Sequence, residues 1–509
     1  MQKGTTPHKL PNWSIYVICL LLASIFLFIF SGNSPLSEFN YHGDYQWYMT
    51  MGNSLLAGKI PYRDLFEQKG PIVYFVAAFC CLFPDPDTMM FFVEIFSLSF
   101  FLFFAYKIFY KKLNTLLSII AVSLLIITTF SLKQEPLTGN SIEEFALPIC
   151  TYFLYCWLEF LQEKKEWTKS RCLIIGLCVG VLFWSKYTIL YFILTPMIIW
   201  LVISFCQKRP KNLIINLLFL MLGYLIITLP VLLFYLLNNA IDDLFNVYFI
   251  INITQYPNTS AVQLSIFQFL KTPGIIFLFF IFWGVIRFLI CNWKNKNGWL
   301  FFTSFVVNFL LVMLTCKGMT QYFIIFLPYT ILGILDILEI IFNYLTISNY
   351  RKYGIAIIAI FSSFLLIYCP SYLISNYQFS HKPFYPPLAI ANAINEYETQ
   401  NNTKATLLYY RIGDFGIHNA AQIIPNNYFW ANNYFSGKQL PELYREPEKY
   451  IQQQTSDFVV TSLNIFYGDS YLSDFYQPYD CELPNSEQDK NNISYYSYQG
   501  ITLILLIKK

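Results

Sequence analysis

A few charged side chains stand where a largely apolar chain can do chemistry. Asp44 follows His42 and Gly43 soon after the first long apolar run, inside YHGDYQWYMTMGNSLLAGKIPYRDLFEQKGPIVY, Tyr41 to Tyr74. A carboxylate positioned there can take the proton of an acceptor hydroxyl as it attacks an electrophilic carbon. A turn or helix-capping role is the equal alternative. Glu143 and Glu144, in KQEPLTGNSIEEFALP, form a second acidic point. They either flank a substrate together with Asp44 or hold a divalent cation, or they complement the helix dipole behind an N-cap at Ser141. Which of the two faces inward stays open. Lys69, Arg63, Lys186 and Lys317 are the cations available to hold a lipid phosphate and neutralise its charge as it leaves. Lys69 precedes Gly70 and Pro71, which can fix it over the start of a short helix. Arg63 can instead pair with Asp64, and Lys186 and Lys317 can snorkel to headgroups. Tyr322 either lines a cavity or anchors its helix at the interface.

The elements that must position these groups are membrane spans. The 509 residues are 56% hydrophobic, 20% aromatic and 12% charged, with mean hydropathy +0.47, which excludes an ordinary soluble enzyme. A net charge of +3, with basic residues dispersed, gives no reason to expect a nucleic-acid partner. Apolar runs at 13–31, 87–110, 115–132, 142–161, 172–185, 187–206, 213–237, 273–291, 299–316, 321–344 and 353–372 predict about eleven transmembrane helices. The first reads as a retained helix and not a cleaved signal. The run from Pro71 to Pro84 is short for a span. If it does not cross, the clusters Lys107/Lys111/Lys112, Lys164/Lys165/Lys169/Arg171, Lys208/Arg209/Lys211, Lys294/Lys296 and Arg351/Lys352 share the side of the N-terminus. The positive-inside rule then holds throughout. Residues 71–84 are therefore expected to lie at the interface, with the N-terminus cytoplasmic. Residues 32–88, 133–141, the Ser185/Lys186 turn, 238–272 and 316–320 fall on the outer side.

Residues 1–374 thus form a transmembrane domain, and 375–509 an extracytoplasmic domain of α/β type. Strand-like runs stand at Ala405–Tyr410, Asp457–Thr461 and Ile501–Ile507, and helical ones at Pro386–Glu398 and Glu442–Gln453. Its aromatics Tyr409, Tyr410, Phe415, Tyr428, Phe429 and Trp430 either stack on sugars or make up a small core. Most of the twelve cysteines lie in apolar runs and behave as small hydrophobes. Cys481 alone in the polar part has no internal disulfide partner, and no Cys/His spacing suggests a metal site.

The chain resembles the GT-C polyprenyl-phosphate-sugar-dependent membrane glycosyltransferases, which include protein O-mannosyltransferases and the aminoarabinose transferase of lipid A. It looks most like the bacterial branch similar to lipopolysaccharide-core galacturonosyltransferases. HGD at 42–44 looks like the family's acidic first outer loop, LLAGKIPYRD at 55–64 like its small juxtamembrane helices, KGPIVYF at 69–75 like its Lys-Pro or His-Pro-Pro segment, and EEFALP at 143–148 like its second acidic motif. The resemblance implies an inverting transferase of hexose or pentose on the outer face of the cytoplasmic membrane. Its partners would be a polyprenyl-phosphate sugar donor, membrane lipid, and an envelope acceptor that is a glycan, lipid, teichoic acid or protein. Asp44 would be the base, Lys69 would contact the carrier phosphate, and Glu143 or Glu144 would occupy the second acidic position. A single Asp replaces the Asp-Glu pair of some members, and KGP replaces HPP, so a divalent cation is not a fixed expectation. The rival readings are a transporter or flippase of lipid-linked envelope glycans, and a polymerase of them. The candidate charges gather at span mouths instead of mid-span, which favours the transferase.

Overall fold

The computed structural model describes residues 10–40, 42–131, 141–163, 165–206, 210–255, 274–315, 320–346, 373–374, 377–378, 384–431, 435, 437–479, 484–498 and 500–509. The expected span at 353–372 lies outside them. The main helices are α1 (Asn12–Phe30), α2 (Gly43–Leu56), α3 (Pro71–Cys81), α4 (Pro86–Phe109), α5 (Thr115–Phe130), α6 (Ile142–Glu163), α7 (Lys169–Lys186), α8 (Tyr191–Cys206), α9 (Pro210–Leu237), α10 (Gly274–Cys291), α11 (Lys296–Thr315), α12 (Leu327–Thr346), α13 (Pro386–Asn401) and α14 (Glu442–Gln452). Among the described residues, seven helical stretches are long and apolar enough to cross a membrane. Lys169–Cys206 counts as one of them, although a 3₁₀ turn at Tyr187–Leu190 separates α7 from α8. Lys186 has extended backbone there, which interrupts the helix.

The chain divides into two compact units. Residues 1–37, 88–229 and 259–381 form the first, a helical bundle whose two ends differ in charge. At one end Lys107 donates to Asn12 at 2.6 Å, and Lys111 pairs with Glu163 at 2.6 Å. Arg171 meets Glu159 at 2.6 Å, Lys112 meets Glu339 at 2.9 Å, and the Asn297 side chain donates to the Leu161 carbonyl. The ends of α4, α6, α7, α11 and α12 that these contacts join therefore lie together at the start of α1. At the opposite end Ser31 and Asn33, just past α1, donate to the Glu94 carboxylate near the start of α4, at 2.6 and 3.1 Å. The stretch between them thus leaves and re-enters the bundle at the same end.

Helix starts follow local sequence. Asn114 caps α5 through Leu117 N at 2.9 Å, and Thr168 caps α7 through Arg171 N at 3.3 Å. Apolar side chains such as Leu218, Leu222, Leu225 and Leu229 on α9 stay exposed, as a lipid-facing surface demands. Glycines let backbones touch: a Cβ on Gly223 of α9 would stand 2.1 Å from the Leu173 carbonyl of α7, and one on Gly176 would stand 2.0 Å from the Leu220 carbonyl. Gly223→Val is therefore expected to destabilise by about 1–3 kcal/mol through overpacking. A thermal-shift measurement should show a clear drop in midpoint beside an unchanged Gly468→Ala, whose new methyl meets nothing within 4 Å.

The second unit gathers residues 38–87, 230–258 and 382–509. Division by contacts thus differs from division by hydropathy at residue 374, because residues 38–87 and 230–258 pack with the C-terminal region. The sheet there runs β1 (Leu407–Tyr409), β2 (Phe458–Ser462), β6 (Ile501–Lys508), β5 (Ser494–Tyr498), β4 (Glu487–Gln488). β1 and β2 are parallel and the rest antiparallel, while β3 (Tyr476–Pro478) pairs with the far end of β6, sharing that edge with β5. Leu408, Val459, Ile504 and Leu506 from the strands meet Ile451 of α14 and Phe466, Leu472 and Tyr476 in one core. One expectation is corrected. Residues 55–64 do not form small juxtamembrane helices: the helix is α2, upstream, and it stops at Gly58 with φ +85°. Residues 59–70 are turns, because Pro61 and the left-handed Tyr62 (φ +73°) break helical hydrogen bonding.

Candidate active site

His42 holds extended backbone immediately before α2, so Asp44 falls in the first turn, where the helix's positive end favours a carboxylate. Asp44 is 9% exposed, and Lys69 Nζ stands 3.5 Å from its Oδ1. Lys69 is delivered by a loop with little freedom. Its carbonyl accepts the phenol hydroxyls of Tyr62 at 2.5 Å and Tyr74 at 3.1 Å. The preceding carbonyl, of Gln68, accepts from Asn252 at 2.8 Å. After it, Gly70 and Pro71 start α3, with proline at the first helical position, where no N–H is needed. Tyr62 is fully buried and stacks on Tyr235 with ring centroids 5.5 Å apart. Its left-handed backbone is strain that this packing overrides.

Glu67 is the residue that sequence reasoning missed. It is 3% exposed, and its Oε1 accepts the Lys69 N–H at 3.2 Å. Burial pushes its carboxyl up to about 7, while the neighbouring Lys69 charge and the N–H groups of Gln68 and Lys69 oppose the rise and Asp44 adds to it. The only hint in the sequence was its place two residues before Lys69 in EQKGP.

The other candidates fall into place as follows. Arg63 forks onto Asp64 at 2.9 and 2.8 Å and donates to the Asn238 carbonyl at 2.7 Å. Those guanidinium hydrogen bonds hold the Asp64 carboxyl below its usual range. In the helical bundle, Glu143 is 1% exposed and paired with Lys186, whose ammonium also sits 3.7 Å above the Tyr322 ring centre. Glu144 and Ser141 form a reciprocal cap, Ser141 N to Glu144 Oε2 at 3.1 Å and Glu144 N to Ser141 Oγ at 3.3 Å. Lys317 lies outside the described residues. The fold therefore brings Asp44, Glu67 and Lys69 together in one unit, and Glu143, Lys186 and Tyr322 together in the other. Among the described residues no three His, Cys, Asp or Glu side chains gather as a metal-ligand set. The aromatics Tyr409, Tyr410, Phe429 and Trp430 are core side chains, and Phe415 and Tyr428 are half-buried.

Residues 69–234 match the family model described as dolichyl-phosphate-mannose-protein mannosyltransferase. The chain trace is similar to that of ArnT from Cupriavidus metallidurans in its apo crystal structure, with a TM-score of 0.56 over 97% of each chain and 12% identity. A match to the Archaeoglobus fulgidus oligosaccharyltransferase tethered to an acceptor peptide covers 95% of this chain and 73% of that one, at 11% identity and a TM-score of 0.49. No curated protein matches the sequence. The ArnT trace gives the chain its architecture, the GT-C fold of a multi-pass membrane protein, and the family model matches residues 69–234 within it.

Proposed function

We propose that this protein moves a sugar from a polyprenyl-phosphate donor to a hydroxyl of an envelope acceptor at the outer face of the cytoplasmic membrane. The observation that carries this reading is the pairing of the buried Asp44 with the half-buried Lys69, whose backbone is held by two phenols. In the resting site the Lys69 ammonium stands 3.5 Å from the Asp44 carboxylate. A donor phosphate competes for Lys69, which frees Asp44 to act as a stronger base. The acceptor oxygen then attacks the anomeric carbon, the carbon–phosphate-oxygen bond breaks, and the phosphate leaves with the electron pair beside Lys69 while Asp44 takes the hydroxyl proton. Attack opposite the leaving group inverts the anomeric centre. Lys186, held by Glu143 and Tyr322, is assigned to substrate contact, and Glu144 to support of α6. Outer-face placement is supported by the second unit, since its residues 38–87, 238–258 and 382–509 are among those that the charge rule puts outside.

The test uses the full chain in liposomes with tritiated polyprenyl-phosphate mannose and isolated envelope material, the donor supplied on the face where protease reaches residues 384–509. Label should pass into the envelope fraction. Labelled donor that crosses the bilayer unchanged would instead establish the transporter reading.

Glu67 adds a pH dependence whose sign is defined. Below about 7 Glu67 is protonated, so Asp44 and Lys69 sum to zero charge; above it the site gains a negative charge. Donor phosphate should bind less well as pH rises through 7, by about 1 kcal/mol or roughly fivefold in KM. Glu67→Gln should flatten that KM profile, and a profile unchanged in the variant would remove Glu67 from this role.

A further inference from the structure

One face of α2 carries polar groups at buried (Gln46, Thr50) and half-buried (Trp47, Asn53) positions. Gln46, Trp47, Thr50 and Asn53 recur at the spacing of a single helix face, and all four meet the C-terminal segment of the same unit. Asn419 serves two of them, donating from Nδ2 to Gln46 Oε1 at 3.0 Å and accepting at Oδ1 from Asn53 at 3.3 Å. Thr50 Oγ1 donates to Asp414 Oδ2 at 3.2 Å, and Trp47 lies 4.7 Å from Trp430 between ring centres. The segment that presents Asp414 and Asn419 is itself rigid. The Tyr409 hydroxyl accepts the N–H groups of Phe415 and Ile417 at 3.2 and 3.0 Å, and Asp414 Oδ1 accepts the Gly416 N–H at 2.7 Å. Gly416 has φ +94°, and a Cβ there would stand 2.6 Å from the Gln46 side chain, so the loop lies directly against α2. Apolar packing alone would bury this face but would let the helix slide or turn. Directional bonds to buried polar atoms fix one rotation and one axial position.

Asp44 stands on the turn just before Gln46. Resting on the Asp44–Lys69 reading above, we propose that residues 409–419 are a clasp that sets the register of α2, with Asp414 and Asn419 as positioning residues for the base. The C-terminal region is then part of the catalytic apparatus, not only an acceptor-binding appendage. A displacement near 1 Å at a reacting group costs roughly a hundredfold in rate, whereas the donor phosphate contact from Lys69 is made by a separate loop.

The experiment compares Asn419→Ala, Thr50→Val and Thr50→Ser in the full chain in liposomes with polyprenyl-phosphate mannose. Asn419→Ala and Thr50→Val should lower kcat roughly 10- to 100-fold, with donor KM and thermal midpoint nearly unchanged, and Thr50→Ser, which keeps the hydroxyl, should restore the rate. Spin labels at Leu56→Cys and Thr403→Cys should give a broader distance distribution once Asn419→Ala is added. Wild-type kcat in Asn419→Ala, a fall in kcat that only tracks the thermal midpoint, or an unbroadened distribution would each overturn the clasp. Asp44→Asn runs beside them: if it stays active, the underlying reading fails, and if it is dead while Asn419→Ala is fully active, the clasp alone fails.

Discussion

Asp44→Asn should leave a protein that inserts and binds donor but transfers sugar about a thousandfold more slowly, within the 10²–10⁴ range of a positioned general base. The substitution keeps the shape and the hydrogen-bonding oxygen while removing the capacity to accept a proton. Because Asp44 is 9% exposed and faces Lys69, the amide should hold its place in α2. The loss should therefore sit in the chemical step. Donor affinity should hold or improve, since Lys69 no longer divides its charge between Asp44 and the phosphate. Single-turnover rates with saturating polyprenyl-phosphate sugar, alongside equilibrium donor binding, separate the two quantities. A variant that transfers at the wild-type rate would dismiss Asp44 as the base.

Lys69→Ala should act on the other partner. The phosphate loses a charge-assisted hydrogen bond in a shielded site, worth about 1.5–3 kcal/mol, so donor KM should rise roughly 10- to 100-fold. kcat should fall as well, because the same ammonium stabilises the charge that develops on the leaving phosphate. Folding should suffer less than activity, since Tyr62 and Tyr74 bind the Lys69 backbone carbonyl and not its side chain. Lys69→Arg, which keeps the charge but changes its reach, should recover part of the loss. Steady-state kinetics over donor concentration decide the matter, and an unchanged KM in Lys69→Ala would place the phosphate elsewhere.

Much of the frame was legible because it is written locally. The described spans follow hydropathy, and the strands β1, β2 and β6 and the helices α13 and α14 stand close to where short-range pattern puts them. Ser141 with Glu144, three residues on, is a capping box readable from four letters. Arg63 and Asp64 are adjacent, so their pairing was one of the open readings. The errors and omissions have a common source. Helix at 55–64 was expected from family pattern, but Tyr62 takes a left-handed backbone that only its burial against Tyr235 and its bond to Lys69 sustain. Glu67 is one acidic residue among 30 in the sequence, and only its burial singles it out.

By itself the sequence determined a multi-pass chain and a mixed C-terminal region, and it singled out Asp44 and Lys69 as the residues to examine. Hydropathy, charge bias and capping depend on neighbours within a few turns, so they survive in one dimension. Tertiary structure decided which charges meet. Lys186 finds Glu143 across 43 positions, and Thr50 finds Asp414 across 364. It also decided that residues 38–87 pack with the C-terminal region and not as a separate peripheral loop. These pairings depend on where the chain returns after hundreds of residues and on which groups lose water there. Neither quantity is a local property of the letters.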